Sequence, residues 1–355
     1  MKILALDLGN FKSVACVYDT QTTKAEYSTI VSSKEAVREL VLKQQPNRVV
    51  IEICPLAGWV SDVMRESGIE LQVAGTNEQR SRWRNVKRKS DRRDALKLAH
   101  KSALAELQLV HVPTITVRQW RALINYRQQL VKRRTRIKNH LRALLLRENR
   151  GWLRGKSGWT VAALEKLAAM ALPLSEASPE ELWRGLLEVE LQALKATESL
   201  LRQVEKRLDQ MGKTNQRVQL LQTAAGVGPR LAEALVAQFD DPARLQRSKE
   251  VGPYLGLVPK RWQSGETERL GHITRQGSRV VRALLVEASW AGLRYNPWMR
   301  EVYQRVKRGS KARRKIAIVA VSRRLAVRCW AMLRDDAPWR DADLKVRGDR
   351  PRLTQ

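Results

Sequence analysis

The sequence predicts an α/β N-terminal domain over residues 1–110, a basic-helix and coiled-coil spacer over 111–212, an all-α C-terminal domain over 213–340 and a basic tail over 341–355. Three observations carry this. Short apolar and β-branched runs alternate with helically spaced segments through the first hundred residues, the pattern of a layered α/β domain. Leucines then recur every seven residues at Leu187, Leu194, Leu201 and Leu208, a partial coiled-coil seam because Glu198 and Glu205 occupy two of its intervening positions. Beyond residue 214 the apolar pattern is helical, with Gly226-Val227-Gly228 set between two segments in the manner of a helix–hairpin–helix.

KILALDLG and SVACVYD read as strands separated by Gly9-Asn10, and EYSTIVS as a third. Residues 34–44 have helical spacing, RVVIEI (48–53) is a strand, and a helix (56–67) and a strand (69–75) follow. KILAL and VVIEI are apolar almost without interruption, which places them centrally, buried on both faces. A helix begins at Asp91, Pro113 closes that region, and a long basic helix covers about 117–148. Gly151, Gly155 and Gly158 mark a linker. Ser178-Pro179-Glu180-Glu181 has the form of a capping box with proline at the first helical position, and so predicts a helix start. The four leucines of that helix serve either packing within the chain or dimerisation.

The chain of 355 residues carries 67 Lys and Arg against 36 Asp and Glu, a formal net charge of +31. That balance points first to a nucleic-acid partner. Residues 80–156 hold 23 basic and 4 acidic side chains, residues 161–210 hold 6 and 9, and residues 260–330 hold 18 and 4. Two basic blocks therefore flank a near-neutral spacer. No apolar run reaches the ~20 residues of a spanning helix, and MKILALDLGN lacks the form of a signal peptide. Cys16, Cys54 and Cys329 are odd in number and without metal-ligand spacing, which fits buried free thiols in a reducing cytoplasm.

The stretch KRKSDRRDALKLA (87–99) sets Asp91 and Asp94 inside a run of cations. Carboxylates there weaken attraction for a polyanion unless they hold a cation that the polyanion needs. Asp7 and Glu52 fall in strands built for burial, where an acid is costly unless paired or metal-bound. Asp91 and Asp94, at i and i+3, share a helix face. If that helix packs on the sheet, four hard oxygen donors converge as a site for Mg²⁺ or Mn²⁺. The competing explanation makes Asp91 an N-cap, pairs Asp94 with an arginine and lets Asp7 end a strand, but leaves Glu52 unexplained. Candidate nucleic-acid contacts are Arg88, Arg92, Arg127, Lys132, Arg133, Arg134, Arg136, Lys138, Lys260, Arg261 and Arg269. In PKRWQSGETER (259–269), Ser264 beside Gly265 reads from its residues alone as turn chemistry in a basic loop. His100, His111 and His140 read as surface or phosphate-contacting groups, and His272, eight residues past Ser264, as a solvated side chain or a local base. Trp83, Trp120, Trp152, Trp159 and Trp262 read as gap fillers or base-stacking rings.

Taken together, ALDLG with Asp7, VVIEI with Glu52 and KSDRRDALKLA with Asp91 and Asp94 resemble the DEDD motif of the insertion-sequence-110 family of bacterial transposases. YRQQLVKRRTRIKNHLRALL, AAGVGPRLAEAL and YLGLVPKRWQSGETER are similar to later parts of that family, in the same order over nearly the whole chain. The resemblance implies a RuvC-like (RNase H-fold) N-terminal domain, a coiled-coil spacer and a C-terminal transposase domain whose nucleophile is Ser264. It also implies Mg²⁺ (or Mn²⁺) at the DEDD site, donor and target DNA as substrates, and a structured noncoding guide RNA. A homo-oligomer, dimeric or tetrameric, in which different protomers supply the two half-sites, belongs to the same implication. Two departures stand out: Ile-Cys-Pro-Leu-Ala-Gly-Trp follows Glu52 where the family commonly has Thr-Gly, and Gln263 precedes the serine where an acid can occur. The rival readings are a metal-dependent junction-resolving nuclease, in which Ser264 is incidental, and a non-catalytic nucleic-acid-binding scaffold.

Overall fold

The computed structural model describes residues 1–75, 90–151, 155, 157–264 and 267–340. The chain divides into two compact units, Met1–Gln119 and Trp120–Gln355. In the first, β1 (Lys2–Asp7), β2 (Lys12–Asp19), β3 (Ala25–Val31), α1 (Lys34–Gln44), β4 (Arg48–Glu52), α2 (Ala57–Glu66), β5 (Glu70–Ala74) and α3 (Asp91–Ala103) follow in chain order. The five strands form one mixed sheet in the order β3-β2-β1-β4-β5. β1–β2 and β2–β3 are antiparallel, and β1–β4 and β4–β5 are parallel. Short turns suffice for the antiparallel pairs, whereas α2 supplies the crossover that the parallel pair β4–β5 requires.

Strand alternation sends each central strand's side chains into two cores. Leu4, Leu6, Val49 and Ile51 meet Val37 and Leu40 of α1 and Val60 and Met64 of α2. On the other face Ile3, Ala5, Cys16 and Val50 meet Ala95, Leu98 and Ala99 of α3. Residues 3–6 of β1 and 49–51 of β4 are fully buried, as their uninterrupted apolar runs predict. Burial pushes the thiols of Cys16 and Cys329 up to about 11 and about 12, so neither is a nucleophile near neutral pH.

The second unit is helical. The unit boundary falls within α4 (Ile115–Arg147), and α5 (Val161–Met170), α6 (Leu182–Thr214), α7 (Gln216–Gln222), α8 (Pro229–Phe239) and α9 (Ser248–Tyr254) follow. After a hairpin of β6 (Pro259–Ser264) and β7 (Thr267–Ile273) come α10 (Arg279–Gly292), α11 (Pro297–Lys307) and α12 (Arg314–Asp335). The hairpin corrects the all-α expectation for this part. Its residues are polar and mostly exposed, so the alternation of apolar and polar residues that marks a half-buried strand is absent.

The leucine repeat packs inside its own chain. Leu187 and Leu194 join Ile137, Leu141 and Leu145 of α4, while Leu201 and Leu208 join Trp120, Ile124 and Leu130 in the main core. The predicted capping box also resolves differently: Pro179–Glu181 is a 3₁₀ turn and α6 starts at Leu182. Ser178 Oγ lies 3.3 Å from the Glu181 carboxylate and caps no backbone N–H. Gly226 has φ +97°, and a Cβ there would sit 2.8 Å from the Gly292 Cα, so close approach to α10 explains this glycine without any phosphate. Among the described residues, no helix is long and apolar enough to cross a membrane.

One buried acid in this unit sets a pH dependence. Glu233 on α8 is 1% exposed and accepts two hydrogen bonds from Arg230 Nη1, at 2.9 and 3.1 Å, while Arg230 also pairs with Asp209. Burial raises Glu233 from an ordinary 4.5 to about 7, outweighing the downward pull of the Arg230 guanidinium. The folded chain therefore holds this proton more tightly than the unfolded chain. Its contribution to stability is full below the unfolded value and is lost as pH rises through about 7. Glu233→Gln is expected to gain on the wild type by about 1–3 kcal/mol between pH 5 and pH 8. Parallel denaturant titrations measure the gain, and a difference that does not change with pH would contradict this burial argument.

Candidate active site and nucleic-acid interface

The register of β1 and β4 brings Asp7 and Glu52 side by side. Leu6 pairs with Ile51 in a parallel ladder, and each acid is the next residue and the last of its strand. Since Leu6 and Ile51 face α1 and α2, alternation turns Asp7 and Glu52 to the opposite face, the one α3 covers. Both are half-buried, at a strand end. This corrects the picture of acids sunk among core residues and removes the severe desolvation cost attached to them.

The C-terminal part of α3 lies by the start of β4. There Arg48 Nη1 reaches the Ser102 carbonyl at 3.4 Å and Ser102 Oγ bonds Gln72 Oε1 at 2.7 Å. At a rise of ~1.5 Å per helical residue, Asp94 lies about 12 Å along α3 from Ser102. At ~3.3 Å per strand residue, Glu52 lies about 13 Å along β4 from Arg48. The first turn of α3, with Asp91 and Asp94, is the helix end remote from that contact, as Glu52 is the remote end of β4. Ser90, not Asp91, is the N-cap residue, and the Asp94 N–H donates to its carbonyl at 3.0 Å. Ala95, Leu98, Ala99 and Ser102 form the stripe buried on the sheet, and Asp91 and Asp94 continue it by one turn. Among the described residues, no three His, Cys, Asp or Glu side chains come close enough together to hold a metal ion. By donor type alone, carboxylate oxygens are what a hard divalent cation takes.

The basic candidates separate into two groups. Arg127 donates to Glu205 at 2.7 and 2.9 Å, and Lys138 pairs with Glu198 at 3.2 Å while lying 4.9 Å from the Trp159 ring centre. Both brace α4 against α6, which only the packed helices make visible. Lys132, Arg133 and Arg136 are exposed on one side of α4 and Arg134 is half-buried. Arg92 is exposed, its guanidinium 5.7 Å from the Tyr27 ring centre. Arg88, Trp83, Trp152 and the basic tail over 341–355 lie outside the described residues. Of the histidines, His140 bonds Glu190 at 2.8 Å and His100 meets the Tyr18 ring edge-on at 4.7 Å.

Ser264 is the last residue of β6, exposed and paired with Thr267, rather than a loop residue. Antiparallel partners share a face, so Ser264 and Thr267 lie on the side of Trp262 and its partner Arg269. Arg261, paired with Leu270, points to the opposite side. Only Arg269 of the two arginines is placed toward the serine. Lys260, Arg261 and Arg269 are all exposed.

A family model described as Transposase, for the DEDD transposases of IS110, matches residues 4–149. A second, described as Transposase IS116/IS110/IS902 family, matches residues 218–304. The chain belongs to the insertion-sequence-110 family of transposases. The first match contains Asp7, Glu52, Asp91 and Asp94, and the second contains the hairpin with Ser264. This transposase is 26% identical over 350 residues to the transposase for insertion sequence element IS1111A of Coxiella burnetii, covering 94% of this chain and 90% of the relative. It is 26% identical over 306 residues to a probable family 20 transposase of Pseudomonas aeruginosa, covering 86% and 89%. Among solved structures, T. thermophilus RuvC in complex with a Holliday junction substrate matches at 14% identity with a TM-score of 0.25, over 31% of the transposase and 100% of that chain.

Proposed function

We propose that this transposase cuts and rejoins donor and target DNA through a serine–DNA ester, with Asp7, Glu52, Asp91 and Asp94 holding Mg²⁺ (or Mn²⁺). The observation that carries the reading is the pair Asp7 and Glu52, in register at the ends of adjacent parallel strands on the sheet face that α3 covers. A mixed sheet with acids at two central strand ends supports an RNase H-like identity for this unit. When bound, the divalent ion supplies charge neutralisation at the phosphate and a template for in-line attack.

The chain's own residues supply the rest. Ser264 Oγ, losing its proton, forms a bond to phosphorus as the P–O bond to the departing strand breaks and that oxygen leaves as a hydroxyl. Attack by another strand's hydroxyl on the ester reverses the step and frees the serine, so joining needs no ATP. Arg269, on the face of Ser264, stabilises the charge that builds on the phosphate oxygens. Comparing Asp7→Ala with Ser264→Ala tests the whole: recombination needs both residues, a hydrolytic nuclease needs only the first, and a scaffold needs neither.

The exposed cations of α4 are the proposed surface for DNA or a structured guide RNA. Changing Lys132, Arg133 and Arg136 together to Ala should flatten the log–log salt dependence of duplex binding by about 0.9 for each phosphate no longer neutralised. Fluorescence anisotropy between low and moderate salt measures this, and an unchanged slope would remove α4 from the interface. Guide RNA is tested by sequencing the RNA that co-purifies with the protein. Homo-oligomerisation has support in α6, where Leu182, Leu186, Val189 and Leu200 form a second apolar stripe that stays exposed beside the buried leucines.

A further inference from the structure

We infer that Trp262 is a stacking platform for an unpaired nucleobase beside the phosphate that Ser264 attacks. The inference rests on the proposed reading of the hairpin as the carrier of the attacking serine, and adds to it a recognition element.

Other described tryptophans have structural work. Trp120 and Trp330 are buried in the main core, Trp298 and Trp339 enclose the Arg328 guanidinium at 4.6 and 4.1 Å, and Trp159 lies beneath Lys138 and Arg142. Trp262 is 57% exposed and belongs to none of the hydrophobic clusters. Leaving a ring of that size in water forfeits its main energetic use in a fold.

The ring is nevertheless held in place. It lies against the backbone of Gly271 on the neighbouring strand, where a Cβ would stand 2.3 Å from Trp262 Cζ3 and 2.7 Å from Cη2. The missing side chain of Gly271 leaves room for the indole to lie against the neighbouring strand while most of the ring stays open to a ligand.

Its surroundings fit a nucleotide. Arg269 is the cross-strand partner of Trp262, and Ser264 lies two residues along the same strand and on the same face. That separation is about 6.6 Å between backbones, a distance one nucleotide bridges. Aromatic ring, cation and hydroxyl thus share one face of the hairpin, the cation across the ladder from the ring and the hydroxyl along its strand. Stacking tolerates any base and is worth about 1–3 kcal/mol each. DNA and RNA both offer such a base.

The test uses the full chain with single-stranded oligonucleotides of DNA and of RNA, in which one abasic site is moved stepwise along the strand. For the wild type, one abasic position should weaken binding about fivefold to a hundredfold. Trp262→Ala should show that loss on the intact oligonucleotide and no further loss at that position, while Trp262→Phe stays near the wild type. A fully paired duplex should not distinguish the three proteins. The oligonucleotide that shows the effect identifies the strand as DNA or RNA. The inference is overturned if the wild type has no sensitive abasic position, or if Trp262→Ala keeps the same sensitivity there. Trp262→Phe controls for a hairpin loosened by Trp262→Ala, since with a ring retained it should keep the wild-type abasic scan, and loss of that sensitivity in Trp262→Phe would also overturn the inference. Ser264→Ala should give the wild-type scan. Formation of an adduct at Ser264, assayed separately, tells failure of the serine reading from failure of the platform.

Discussion

Asp7→Asn is expected to lower DNA strand cleavage at least about a thousandfold, because a bound divalent ion contributes several kcal/mol at a phosphoryl centre. The amide keeps the shape of the carboxylate and removes the charge that attracts the ion. Glu52→Gln, beside it in the parallel ladder, should act in the same direction, since the two side chains share one sheet face. Both residues end strands whose preceding side chains fill the core, so neither substitution opens a cavity. The check is cleavage of a labelled substrate across a Mg²⁺ titration, with binding measured in parallel. Loss of activity with retained binding, partly relieved at high metal, is the expected pattern. Full activity in Asp7→Asn would remove the acidic pair from the chemistry.

Ser264→Ala should be equally severe and of a different kind. Removing the proposed nucleophilic oxygen should lower both cleavage and joining at least about a thousandfold, a loss that no metal concentration relieves. Fold and nucleic-acid binding should persist, because the side chain is exposed at the end of a strand. The two arginines of the hairpin should then differ. Arg269→Ala, on the serine's face, should slow the chemical step more than it weakens binding, whereas Arg261→Ala, on the opposite face, should do the reverse. Single-turnover rates and binding isotherms on the same substrate separate these effects. Equal behaviour of the two variants would contradict the register argument.

Much of the first unit was legible because burial on both sheet faces imposes uninterrupted apolar strands, as in β1 and β4, and because residues 34–44 carry helical spacing. The pairing of Asp7 with Glu52 depended on β1 and β4 being neighbours, which their shared apolar character indicated and the ladder established. The hairpin was illegible for the opposite reason: with almost nothing buried, no periodicity records it, and Ser264 read as a loop residue. The roles of Arg127 and Lys138 could not be read from a basic helix, because their partners Glu205 and Glu198 lie far along the chain on α6. The leucine repeat was ambiguous for a physical cause. α6 carries two apolar stripes, one filled by α4 and the core and one exposed, and a heptad count cannot say which partner takes which.

The most direct measurement traps the reaction midway. A suicide DNA substrate, nicked so that the departing strand diffuses away after attack, should leave the wild-type protein joined to DNA through a bond that survives denaturation. Digestion and mass spectrometry should place the nucleotide on a peptide containing Ser264, with no adduct in Ser264→Ala or in the absence of a divalent ion. Cleavage without any adduct, or an adduct on another residue, would contradict the serine mechanism and leave metal-dependent hydrolysis in its place.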